Sequence, residues 1–71
     1  MIQKIVTRAG HVFTVGELFE ENGISPIIVN DIHRISGDNK FIVNAIDSKG
    51  NKKFLALIEE DAVSEVIIAD N

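Results

Sequence analysis

"ISGDNKFIVNAIDSKGNKKFLALI", residues 35–58, says nearly the same thing twice. A turn cluster containing Gly37 leads into Lys40-Phe41-Ile42-Val43, and a second containing Gly50 leads into Lys53-Phe54-Leu55-Ala56. The repetition is either a doubled binding site or the punctuation of a β-meander. Asp47-Ser48-Lys49-Gly50 has Asp at the first and Gly at the fourth position, the preference of a type I turn. With residues 48–51 as the loop, Asp47 faces Lys52 and Lys40 faces Glu59. Both pairings set opposite charges across the ladder, each worth about 0.2–1 kcal/mol. The two turns then fall at opposite ends of one shared strand, where a flat meander keeps them apart. The stretch therefore predicts three antiparallel strands and no doubled site.

That register places Phe41, Val43, Ala45, Phe54, Ala56 and Ile58 on one face. The other face carries Ile42, Ile46, Leu55 and Leu57, with Asn44 and Lys53 between them. A sheet with one wet face should alternate more cleanly. Fully burying each such side chain is worth roughly 1.5–3 kcal/mol, so something covers the second face. These four residues form the candidate oligomer interface, and the chain is expected to be a homo-oligomer.

Outward from this core, Ile2 to Thr7 and His11 to Val15 read as a hairpin turning near Gly10. Thr14 and Glu17 have the spacing of a capping box, with Phe13 and Leu18 placed for a hydrophobic staple. Asn22-Gly23 is a left-handed stop. These signals predict one short α-helix over about residues 15–22, with Val15, Leu18 and Phe19 on its packed face. Pro26 opens the next strand, as Pro does at a first strand position. Ile27, Val29 and Ile35 share one parity, Ile28 and Ile32 the other. A β-bulge near Asn30-Asp31 would bring some of these onto one side. Glu59-Glu60-Asp61-Ala62 makes a tight turn before a last strand, Val63 to Ala69. In that strand Val66 and Ile68 share one face, and Val63 and Ile67 the other.

The bulk properties agree with a small β domain. Seventy-one residues allow one domain, residues 1–71. A chain this short buries only about 60% of its unfolded surface. The absence of cysteine removes disulfides and thiolate metal sites. A partner chain is the remaining way to add stability, in keeping with 45% hydrophobic residues and a mean hydropathy of +0.15. A formal net charge of -4 argues against general nucleic-acid binding, where phosphate neutralisation dominates affinity. No apolar run approaches the length of a membrane span, about 20 residues, and the start lacks a signal-peptide core. The expected location is cytoplasmic.

No motif fixes a biochemical activity. Asp31 and His33 stand two apart on one strand, near enough for a carboxylate to orient an imidazole, but no nucleophile accompanies them. His11 and His33 lack a third metal ligand. Asp47 to Ile58 fails as a calcium loop, with Lys49 third, Lys52 sixth and Ile58 twelfth. Lys49, Lys52 and Lys53 form a small basic tip, suited to a phosphate or an acidic partner, or to guarding a sheet edge. With Arg34, His33 and Asp31 they are the candidate partner-binding residues. Glu59, Glu60, Asp61 and Glu65 form an acidic cluster that reads as a solvated turn. No catalytic, cofactor-binding or metal residues are assigned, and no cofactor is expected.

Two resemblances follow. "KIVTRAGHVFTVGE", residues 4–17, is similar at Thr7, Arg8 and Gly10 to the opening L-T-R-K-x-G-E of the small carbon-storage-regulator RNA-binding proteins. It is one residue short before Gly10 and has His11 where that family has Glu, so RNA binding is not carried over. The order of hairpin, short helix, meander, tight turn and last strand resembles the small SH3-like and Sm-like barrels. That resemblance implies a mainly β barrel or β-roll of about six short antiparallel strands, of a kind frequent in phage-borne and bacterial accessory proteins. The sequence thus leads to a non-enzymatic protein that occupies a protein partner. The alternative is a nucleotide- or nucleic-acid-binding barrel using the basic tip.

Overall fold

The computed structural model describes residues 1–21 and 24–69, with backbone alone at 20, 21, 24 and 25, and these described residues form seven strands and one 3-10 turn. The strands are β1 (Ile2–Thr7), β2 (Val12–Thr14), β3 (Leu18–Glu21), β4 (Ile24–Ile35), β5 (Lys40–Ile46), β6 (Lys52–Glu59) and β7 (Val63–Ile68), with the 3-10 turn Glu60–Ala62 before β7. They form a three-stranded sheet, β2-β1-β7, and a four-stranded sheet, β3-β4-β5-β6, all pairings antiparallel. The sheets curl over one core of Ile5, Phe13, Val29, Ile32, Phe41, Val43 and Ile58. The result is a mainly β, barrel-like domain, as the sequence predicts.

The expected helix is absent among the described residues, and its place is taken by a corner and an edge strand. The Glu17 amide donates to the Thr14 carbonyl at 3.1 Å, closing a turn with Gly16 third at φ +90°. A right-handed helix has no room for that dihedral, and a type II turn requires it at this position. The chain then pairs with β4, Leu18 opposite Ile28 and Phe19 opposite Ile27. Strand alternation sends Phe19 inward, stacked on Phe13 at 5.6 Å between ring centroids. Leu18 is left exposed, so the staple does not form. The Asn22-Gly23 stop lies outside the described residues.

The corner also joins the sheets. The Val15 amide donates to the Gln3 carbonyl in the first sheet, and the next amide, of Gly16, donates to the Val29 carbonyl in the second. Val29 returns a bond from its own amide to the Glu17 carbonyl. At the opposite end the 3-10 turn is tied down by Glu60 N–H to the Asn39 carbonyl, Arg8 N–H to the Ala62 carbonyl and Arg8 Nε to the Asp61 carbonyl.

Among the described residues five register shifts interrupt the ladders; one falls between Ile2 and Lys4 in β1, and the other four decide which side chains reach the core. The one expected near Asn30 is present: Val29 opposes Ala45 and Asp31 opposes Asn44. Ile27, Val29 and Ile32 are accordingly all buried, although Ile32 has the opposite parity. A second lies in β6. The Asp47 amide donates to the Asn51 carbonyl, so Asp47 opposes Asn51 instead of Lys52. Ile46 then opposes Lys52, and Asn44 opposes Phe54. An extra residue, Leu55, restores the expected register, with Val43 opposite Ala56 and Lys40 opposite Glu59. A one-residue slip turns every side chain over. Phe54, expected in the core, is therefore 64% exposed, while Leu55, expected in the oligomer interface, packs against the core. The third lies in β7, where Val6 opposes Glu65 and Thr7 opposes Val63, so Val63 and Val66 both pack inward. Ile67 and Ile68 remain exposed, contrary to the expected alternation. The fourth lies between Phe19 and Glu21, opposite Pro26. Pro26 is thus the third residue of β4 and not its first; lacking an amide, it fits an irregular position.

Two outcomes test this arrangement. Phe41→Ala should lower unfolding free energy by about 3–5 kcal/mol, and Phe54→Ala by no more than about 0.5 kcal/mol, in urea titrations at low protein concentration. Gly16→Ala should cost about 1–2 kcal/mol, although the added Cβ meets no atom within 4 Å, because the cost lies in the backbone.

Candidate functional site

The outer face of the four-stranded sheet is built from rows running across the strands. One row is Leu18, Ile28, Ile46 and Lys52; the next is Asp31, Asn44 and Phe54; a third is His33, Ile42 and Leu57. Four of these apolar side chains are exposed: Leu18, Ile28, Phe54 and Leu57. With no helix to cover it, and with β3 adding Leu18, this face is broader and more apolar than its hairpin alone suggested. Ile42, Ile46 and Leu57 lie on it as expected; Leu55 does not.

Within the middle row an open depression of about 360 Å³ is lined by Asn30, Asp31, Asn44, Lys52, Lys53 and Phe54. The shift at Asn30 and the extra residue Leu55 flank it, one on each side. The first brings Asp31 and Asn44 together, and the second brings Phe54 round to join them. Asp31 Oδ2 lies 2.6 Å from His33 Nδ1 and accepts a longer bond, 3.4 Å, from Asn44 Nδ2. The carboxylate thus orients the imidazole as the spacing predicted. No hydroxyl or amine stands in hydrogen-bond contact with that imidazole among the described residues.

The structure collects Asp31, Lys52 and Lys53 around one depression, with His33 joined through Asp31. Arg34 lies apart, its Nη2 donating to Glu60 Oε2 at 2.6 Å and to Asn39 Oδ1 at 3.0 Å. Lys49 stands at the hairpin tip, outside the depression. Sequence reasoning missed Phe54, Asn30 and Asn44. Asn30 carried a signal, the parity break in its strand; Phe54 carried none, because its position depends on the loop closing one residue early.

Asp47 sets that closure. Its Oδ1 accepts from the amides of Lys49 at 2.9 Å and Asn51 at 2.8 Å, and its Oδ2 accepts from the Asn51 side chain at 3.2 Å. Gly50 completes the loop at φ +83°, with its amide donating to the Asp47 carbonyl. This matches the three-residue hairpin loop in which a turn is followed by a left-handed residue. The carboxylate is thus committed to the turn. The Asn51 amide above all holds its pKa below the ordinary 3.8, with Lys53 assisting.

Among the described residues no group of three or more His, Cys, Asp or Glu could hold a metal ion. No described helix is long and apolar enough to cross a membrane. No family model, curated protein or solved structure matches the chain.

The turn predicts a pH response. A carboxyl with a lowered folded pKa contributes stability that is full above its unfolded value and is lost as pH falls through the folded one. Wild type should therefore lose stability in acid below about pH 3.8 more steeply than Asp47→Asn. At neutral pH Asp47→Asn should be the less stable of the two. Thermal unfolding at a series of pH values measures both.

Proposed function

We propose that the protein is a non-enzymatic binding domain that occupies a protein partner through the outer face of its four-stranded sheet. One observation carries this reading: Leu18, Ile28, Phe54 and Leu57 stand exposed on a single face. Soluble monomers rarely display apolar side chains grouped in this way, and grouped exposure marks interaction surfaces. The polar cluster of Asp31, Asn44 and His33 supplies orientation, since a few placed polar groups within an apolar patch fix register. Lys49, Lys52 and Lys53 form the charged rim of this proposal, and Arg34, opposite Phe41 and bound to Glu60, stands outside it.

Several features support a small SH3-like barrel as the architecture. The first strand pairs with the last, a three-stranded meander lies between, and a 3-10 turn precedes the final strand. A cytoplasmic location and a phage or prophage accessory role are part of the same proposal. A second reading is favoured by the depression itself: Phe54 offers a stacking face beside Lys52 and Lys53, which suits a nucleotide.

Immobilised wild type should retain a host protein that Leu18→Glu and Ile28→Glu variants, folded by circular dichroism, fail to retain. Retention unchanged by both variants would remove the outer face from the proposal. Titration with mononucleotides and single-stranded RNA at two salt concentrations separates the second reading. Salt-sensitive binding lost on replacing Lys52 and Lys53 by Ala would favour it over the first.

A further inference from the structure

β6 is the last strand of its sheet, and among the described residues it pairs with β5 alone. Its free edge presents amides and carbonyls at alternate residues, a template for another strand. The edge reads KKFLALIE over residues 52–59, basic at one end, acidic at the other and apolar between. Because of the extra residue Leu55, Lys52, Phe54, Leu57 and Glu59 all project to the outer face, opposite Ile46, Asn44, Ile42 and Lys40 respectively. Phe54 and Leu57 are 64% and 50% exposed. Neither Lys52 nor Glu59 makes an ion pair among the described residues.

This order is self-complementary under two-fold rotation. We infer that two copies of this chain associate edge to edge through β6, antiparallel about an axis near Leu55 and Ala56. Lys52 then stands opposite Glu59 of the second copy, and Phe54 opposite its Leu57. Directly opposed residues of an antiparallel pair point to the same side of the sheet. A regular strand paired with itself therefore sets only residues of like parity together, which Lys52 and Glu59 are not. The extra residue makes their meeting on one face possible. Among the two-fold registers of these four outer residues, this one is the longest and the only one that matches both charges. A two-fold interface repeats each contact, so two charge pairs and two Phe54–Leu57 contacts form at once.

Lysines on an edge strand normally deter pairing; here Lys52 meets a carboxylate of the other copy, while Lys53 projects to the other side of the sheet, on the side of Ala45. The dimer carries a continuous eight-stranded sheet. Leu18 and Ile28 lie on strands away from the axis and stay free for the partner proposed above, while Phe54 and Leu57 belong to both surfaces. A ladder of eight residues lies at the small end of protein interfaces, so the dimer should be weak and concentration-dependent.

Sedimentation equilibrium over a concentration series tests the inference. Wild type should rise from 7.8 kDa toward twice that mass. Lys52→Glu sets two like-charge pairs in the dimer, and Glu59→Lys does the same with opposite sign. Each should weaken association at least about tenfold, or 1.4 kcal/mol, while circular dichroism shows the fold intact. An equimolar mixture of the two variants should associate again, since every 52–59 pair between the unlike chains is then of opposite charge. A wild type that stays monomeric throughout overturns the inference. So does a dimer indifferent to both substitutions, which would mean face-to-face packing of the outer surfaces. A mixture that remains monomeric overturns the register.

Discussion

The corner at Val15-Gly16-Glu17 is the contact on which the rest of the fold depends. Two successive amides there donate to carbonyls in different sheets, Gln3 in one and Val29 in the other. A single step of backbone thus fixes the distance and the angle between the sheets. Only a residue that tolerates φ +90° can make the step without strain, and Gly16 occupies it. The core follows from this junction. Ile5 and Phe13 arrive from the first sheet, and Val29, Ile32, Phe41 and Val43 from the second, to close over one another.

The corner also explains the surface. A helix over residues 15–22 would have covered part of the second face of the meander. With the chain entering the sheet instead, Leu18 becomes another exposed residue on that face, beside Ile28. A 71-residue chain has one core and cannot bury both faces of its larger sheet. The unburied face and the unpaired edge of β6 are consequences of size and topology together. In the proposals made above the outer face meets a partner and the edge meets a second copy.

Register irregularities act as the switches of this domain. Each inserts a residue, reverses the parity of everything beyond it and so reassigns side chains between core and solvent. The one at Asn30 keeps Ile32 in the core. The one at Leu55 removes Phe54 from the core and opens the depression beside Asp31 and Asn44. The one in β7 turns both Val63 and Val66 inward, and the Ser64 hydroxyl there donates to the Val6 carbonyl at 3.2 Å. The same sequence with straight strands would have a different core and no such site.

The sequence by itself determined the class, the turns and most of the strands. β-branched runs, Gly10, Gly37 and Gly50, and the charge pair Lys40–Glu59 are local or nearly local signals, and they suffice for a meander flanked by a hairpin and a last strand. The parity break at Asn30 was also visible, because Ile32 cannot join Ile27 and Val29 on one face without it. Only the tertiary structure decided the rest. The Thr14–Glu17 spacing fits a helix cap locally, but a two-turn helix has little stability of its own. Pairing with β4 offers ladder bonds and a place for Phe19 against Phe13. The hairpin at Asp47 could close with Lys52 or with Asn51 opposite. The choice went to Asn51 because the Asp47 carboxylate gathers two amides and a side chain in that closure. Leu55 then had to be accommodated as an extra residue before Ala56 and Ile58 could meet Val43 and Phe41. Such choices turn on contacts between residues far apart in the chain, and a pattern read along one strand does not contain them.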